Sequence, residues 1–523
     1  MRDRCLRPWS VPWCLVFALV PSALAQGRQA GVFGDHMVLQ RDKPAPVWGW
    51  ADPGEKVTVK FAGQTKAAAA GQDGKWMVVL DPLKLSTQPQ TMTIVGREKI
   101  ALSDVLVGDV WLCSGQSNMG RSVDRSVIPK GMKWQHPLIR YWGAGRSARY
   151  PVERLEIDKP EQARWKICRD EPSTRGCCAV GFFFARRVQE EAGVPIGILW
   201  QAWAGSVIQE WMPPDAWRLE PQLRNRADQV DACYPNTPHG RKVWKQRLAE
   251  IDRWLAKAEK SLKNGSPFPH PQPMMPQPKE RDVCGFYNGK IHPIVPLAIK
   301  GVLWYQGESD SRNKLWDVEL KAMAASWRDR FSVRGDGREI PFYWVQIQRS
   351  GDYCSPLIRQ EQLSALRLVP NSGMAVLLDL DVDVHPRNKV DSGIRLALWA
   401  LNRDYGRKGV VPSGPLYRSH RAEGGKVIVE FDHADGGLRI GRKDMLDPPK
   451  LRASGELPNV ELAGENTRWR KATAKLDGER LAAWSAEVPK PLHVRYCYAN
   501  IPDPPFLYNA AGLPAAAFTT LEQ

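Results

Sequence analysis

Ser117 lies in Gly108-Asp-Val-Trp-Leu-Cys-Ser-Gly-Gln-Ser-Asn-Met119, where an apolar run from Val110 to Cys113 meets a turn of small residues. Far downstream, Asp379-Leu-Asp-Val-Asp-Val-His-Pro386 sets an imidazole among carboxylates. A serine hydroxyl is a poor nucleophile until a base takes its proton, and a histidine oriented by an acid is a common base. The two segments are therefore the parts of a serine esterase. Read alone, Ser117 has a second explanation, because serine is also a favoured helix N-cap.

Were 379–385 extended, Asp379, Asp381, Asp383 and His385 would share one face. Residues i and i+2 of a strand lie roughly 6.5–7 Å apart. Asp383 is then placed to orient His385 and to stabilise its charged form. Alternating aspartates also suit a calcium ion, which takes oxygen ligands. Two further segments offer help with a developing oxyanion. Gly301-Val-Leu-Trp-Tyr-Gln-Gly-Glu-Ser309 ends a strand with an amide, Gln306, and a carboxylate, Glu308. Trp203-Ala-Gly-Ser206 offers the bare backbone N–H of Gly205.

These side chains need a scaffold that brings them to one edge. Between 104 and 412, apolar strands alternate with amphipathic helices. Strands are expected at 109–114, 196–202, 301–305, 342–346 and 374–380, and helices at 181–192, 356–368 and 389–403. That order predicts an α/β fold with a mostly parallel sheet, whose site lies beyond the carboxyl ends of the strands. Ser117, Gly205 and Gln306 each follow such an end. An insertion spans about 212–284. It holds a charged helix over 241–263, with Trp244, Leu248, Ile251, Leu255 and Leu262 at helical spacing, and then a Pro-rich stretch over 266–281. Short strands with Gly and Asp turns fill 26–103 and 413–523, so a β-domain is expected on each side of the catalytic region.

The first 25 residues read as a cleavable leader: Arg2, Arg4 and Arg7, an apolar run from Val11 to Val20, then Ala23-Leu-Ala25. Export follows, secreted or periplasmic, with no stable membrane anchor. The net charge is +17. Its basic residues are scattered among acids with no Lys/Arg block, which argues for a solvated surface and against nucleic acid as a partner. Eight cysteines follow the leader. Cys113 reads as a buried thiol, Cys177-Cys178 has no metal spacing, and pairing among the rest is open. The 22 tryptophans allow a rival class, a glycan-binding protein that stacks sugars on indoles. Core packing accounts for most of them.

Taken together, these segments resemble the sialate O-acetylesterase family, a branch of the SGNH (GDSL-like) hydrolases that includes acetyl xylan esterase relatives. The shared residues are Gly108 to Met119, Tyr287-Asn-Gly-Lys-Ile-His-Pro293, Gly301 to Ser309, Asp383-Val-His-Pro-Arg-Asn-Lys389 and a tail from Val494-Arg-Tyr to Leu507-Tyr-Asn and Gly512-Leu-Pro514. The resemblance implies a three-layer α/β/α flavodoxin-like core between accessory N-terminal and C-terminal β-domains. It also implies a Ser nucleophile with a His base, and acetate release from an O-acetylated carbohydrate with no metal or cofactor. Ser117 matches the nucleophile, His385 the base, and Ser117, Gly205 and Gln306 the oxyanion donors. Gln116, Asn118, Arg121, Asn288 and Glu308 are placed around them, as supports or as contacts to the sugar. Departures matter too. The wider pattern is Asp-x-x-His, yet position 382 is Val, so the acid is Asp383, Asp381 or none. Many relatives carry Glu-Trp where this chain has Gly120-Arg121, and Gly-Gly-Thr where it has Ala204-Gly-Ser206. Arg121 is either a partner for a sugar carboxylate or a surface charge. An acetylated plant or algal glycan is the alternative substrate, and the oligomeric state is left open.

Overall fold

The structure is a computed structural model that describes residues 27–143, 149–150, 152–274, 283–332 and 340–521. The expected leader lies outside these residues, as do 275–281 of the Pro-rich stretch. Six parallel strands form the centre, in the order His136–Gly143, Ile196–Ala202, Lys99–Gly115, Gly301–Tyr305, Phe342–Gln346 and Ser372–Val376. Arg164–Cys168 adds an antiparallel edge. The strands Gly301–Tyr305 and Phe342–Gln346 are buried at every position. Such unbroken apolar runs are what a strand covered on both faces reads like.

Two successive residues show how that cover is arranged. Tyr343 stacks toward Trp399 of the helix Lys389–Arg403, with ring centroids 6.5 Å apart. Trp344 donates its indole N–H to the Gln362 carbonyl of the helix Pro356–Leu368, at 2.9 Å. Adjacent strand residues point to opposite faces, so these helices cover opposite sides of the sheet. Ala179–Ala192 joins the first helix and Trp316–Phe331 the second. The first pair meets at Gly393, where a Cβ would lie 2.6 Å from the Val180 carbonyl.

Two boundaries differ from expectation. The junction at 103/104 falls inside one unbroken strand, Lys99–Gly115, which pairs with Ser86–Val95 at its start and enters the central sheet at its end. The N-terminal strands are therefore welded to the central sheet. The last central strand stops at Val376, and 377–388 is a loop of turns and bends. A buried ion pair pulls it out of extension. Asp379 takes two bonds from Arg395, at 2.6 and 2.9 Å, and one from the Tyr508 hydroxyl at 3.1 Å. The four polar side chains of 379–385 consequently do not share a face.

The C-terminal strands brace this same loop. Arg349 donates to the carbonyls of Leu380 and Pro502, at 2.8 and 3.2 Å. Gln346 and Ala517 exchange two bonds, at 3.0 and 2.9 Å. All eight described cysteines, Cys113 among them, are buried free thiols. Among the described residues, eleven tryptophans are fully buried, which leaves them no face for a sugar.

Replacing Arg395 with Met strands the Asp379 charge among Tyr508 and the sheet. The expected cost is about 3–5 kcal/mol of stability, read as a lower urea midpoint. An unchanged midpoint would show that the pair does not hold the loop.

Candidate active site

The site begins with strand register. Gly115 lies level with Ala202 on one side and Tyr305 on the other. Ser117, Trp203 and Gln306 therefore leave the sheet at one edge. The close approach requires glycine: Gly115 has φ 132°, and a Cβ there would sit 2.2 Å from the Tyr305 carbonyl oxygen. The Gln116 N–H donates to that carbonyl at 3.0 Å, and the Trp203 N–H donates to the Gly115 carbonyl at 3.0 Å.

Ser117 opens the short helix Ser117–Gly120 and is partly buried. Its Oγ lies 2.8 Å from Nε2 of His385. Burial and the nearby charges of Arg121 and Lys389 lower the imidazole pKa, against the opposing pull of Asp383. The ring is thus neutral near pH 7 and able to accept the hydroxyl proton at Nε2.

The two candidate acids bond backbone and not the ring. Asp383 accepts from the backbone N–H of His385, at 2.8 Å. Asp381 accepts from the backbone N–H of Arg387, also at 2.8 Å. Among the described residues no carboxylate bonds Nδ1 of the imidazole. For Asp383 the reason is local: in a bend, an aspartate reaches the amide two residues on, whereas Asp381 reaches an amide six residues on. The same geometry disperses the candidate calcium ligands, since Asp379 is engaged by Arg395 and Tyr508.

Of the expected oxyanion donors, two are on the edge and one is beneath it. No hydrogen bond among the described residues uses the backbone N–H of Ser117 or Gly205. Gly205 is exposed, has φ 72° and faces open space. Gln306 is fully buried, and its amide is already committed. Its Nε2 donates to Asp310 and, at 3.2 Å, to the Ser206 carbonyl, while its Oε1 accepts from Trp316 at 2.8 Å. Through these bonds Gln306 braces the Gly205 loop from beneath. Gln116 lies beside it and accepts from Gln306 and from the Ser309 N–H, both at 3.3 Å.

Below Ser117 and His385 runs a buried polar network. Asn118 donates from Nδ2 to Glu308 and, at 2.8 Å, to the Val384 carbonyl. Gln348 donates to the same carbonyl at 2.9 Å and to Glu308 at 3.2 Å. Tyr305 donates to Gln348 at 2.6 Å, and Lys389 donates to Asn118 Oδ1 at 2.5 Å. Burial lowers the Lys389 pKa to about 7, although Glu308 pulls it upward, and burial raises that of Glu308. Asn118 and Glu308 were placed at the site from sequence; Tyr305 and Lys389 lie in the shared segments but were given no role, and Gln348 was not singled out. A lysine opening the helix that follows His385 by four residues was the available signal. Asn288 is buried elsewhere, between the Tyr150 carbonyl and the Tyr234 hydroxyl, each 2.8 Å from its Nδ2.

Residues 107–232 and 288–397 match a family described as carbohydrate esterase, sialic acid-specific acetylesterase. Sialate O-acetylesterase of Homo sapiens is 30% identical over 462 residues, covering 77% of each chain. The chain belongs to the sialate O-acetylesterase family. The relative from Rattus norvegicus is 29% identical over 480 residues and covers 84% of each chain. A crystal structure of a carbohydrate acetylesterase from Xanthomonas citri superposes with a TM-score of 0.74 at 28% identity, covering 95% of this chain and all of its own. This sialate O-acetylesterase relative is thus a carbohydrate esterase. The matched blocks leave 233–287 unpaired, which holds the long helix Pro238–Asn264 of the insertion.

Because Asp383 touches backbone and not the ring, Asp383→Asn is expected to cost less than about tenfold in kcat/KM on an aryl acetate. Loss of a true triad acid costs about 10⁴, and a fall of that size would restore Asp383 to the role.

Proposed function

We propose that this chain removes O-acetyl groups from sugars through Ser117 and His385, in a three-layer α/β/α flavodoxin-like SGNH core with the flanking β-domains as braces. The observation that carries the reading is the 2.8 Å contact between the Ser117 hydroxyl and His385 Nε2. His385 takes the hydroxyl proton as Oγ bonds to the acetyl carbonyl carbon. The N–H groups of Ser117 and Gly205 receive the oxyanion. The C–O bond to the sugar then breaks, and His385 returns the proton to the departing sugar hydroxyl. Water, deprotonated by the same imidazole, cleaves the acetyl-enzyme to acetate and free Ser117. The leader expected at 1–25 would carry the enzyme out of the cytoplasm.

The family's sialate substrates are acidic sugars, and Arg121 supports the same class here. Its guanidinium acts on the His385 imidazole, and its buried Nε has no partner among the described residues. A substrate carboxylate would pair with the reachable part of the guanidinium in a charge-assisted bond.

The first test is acetate release from O-acetylated sialic acid. Ser117→Ala and His385→Ala should each lose at least about 10⁴-fold. Full activity in both variants would end the serine reading, and glycan binding without turnover would favour a binding protein. Arg121→Gln should raise KM about tenfold for the acidic sugar and leave an acetylated neutral xylan fragment unchanged. It should also move the acid limb of the pH profile upward, because the lost cation was lowering the imidazole pKa. A preference of the parent enzyme for acetylated xylan would instead move the substrate to a neutral plant glycan.

A further inference from the structure

We propose that Lys389 is a positioning residue that clamps nucleophile and base together through Asn118. The proposal rests on the Ser117/His385 reading.

Asn118 directly follows Ser117, and Val384 directly precedes His385. The Asn118 amide bonds the Val384 carbonyl at 2.8 Å. One side chain thus spans the two catalytic neighbours across 266 residues of chain. It works in one orientation alone. With Nδ2 toward Val384, the amide donates to a carbonyl; flipped, it would set oxygen against oxygen. Two groups of opposite type select the productive orientation. Lys389, a donor, sits at Oδ1, 2.5 Å away, and Glu308, an acceptor, sits at Nδ2. Lys389 is completely buried and Glu308 nearly so. Neither is on the surface, where an ion pair contributes little. Lys389 also lies over the Tyr305 ring, 5.2 Å from its centroid, and Tyr305 in turn holds Gln348 on the same Val384 carbonyl.

The clamp supplies what a carboxylate on Nδ1 supplies elsewhere. Orientation of the imidazole reaches it through backbone: Val384 is held by two amides, and the His385 N–H is held by Asp383. A shift of about 1 Å in a reacting group can cost a hundredfold.

The test compares Lys389→Met, Asn118→Leu and the double variant, each checked for cooperative unfolding. Each single variant should lower kcat on an aryl acetate by about ten- to a hundredfold, with KM within about twofold. The double variant should fall no further than Asn118→Leu, because Lys389 acts through that side chain. Lys389→Met should also raise the acid limb of the pH profile, since the ammonium lowers the imidazole pKa; a packing role would leave the limb in place. Should Lys389→Met not fold, Asn118→Leu tests the clamp with Lys389 intact. Unchanged kcat in a folded variant, or losses that multiply in the double variant, would overturn the clamp. A Ser117→Ala enzyme with full turnover would instead remove the reading beneath it.

Discussion

At position 115 the chain has no room for a side chain. The Tyr305 carbonyl lies where a Cβ would be, and the Gln116 N–H bonds the same oxygen. This contact draws the strand Lys99–Gly115 tight against Gly301–Tyr305 just as it turns toward Ser117. On the other side Ala202 is paired level with Gly115. Three segments distant in sequence thereby end at one height, and the turn that follows the first of them presents the hydroxyl. A step of one residue in either pairing would send the next side chain to the opposite face of the sheet.

His385 reaches that edge from a loop without regular structure, so it must be held by other means. Asp379 anchors the loop's start in a buried pair with Arg395, and Tyr508 of the C-terminal strands adds a third bond. Arg349 fixes the Leu380 carbonyl. Two buried amides then fix Val384, one residue before His385. Most of these groups are desolvated, which raises the penalty for leaving any one unpaired. The loop is irregular and yet over-determined, a combination that holds the His385 ring at a fixed distance from the Ser117 hydroxyl.

Much of this was legible in the residues. The strands Ile196–Ala202, Gly301–Tyr305 and Phe342–Gln346 match expectation at both ends, because continuous apolar runs flanked by turn residues allow few other readings. The helices Pro356–Leu368 and Lys389–Arg403 match as well, each announced by a Ser or Asn cap. The helix Trp316–Phe331 went unseen: it starts from Leu315 with no side-chain cap. The alternation of Asp and Val over 379–385 mimicked a strand, and long-range partners at Arg395 and Tyr508 overrode it. Gln306 was found as a residue of the site, but sequence does not reveal that its amide bonds Asp310 and the Ser206 carbonyl. Lys389 ends a shared segment but was given no role, for a related reason: a lysine is ordinarily solvated, and its burial comes from the fold around it.

The central claim is that Ser117 is a nucleophile activated by His385. Labelling with an aryl fluorophosphonate tests it most directly, because such a reagent bonds an activated serine and stays. Intact mass and peptide mapping should show one adduct per chain, on Ser117, forming at a rate that collapses in His385→Ala. No adduct, or one on another residue at an equal rate in that variant, would contradict the account.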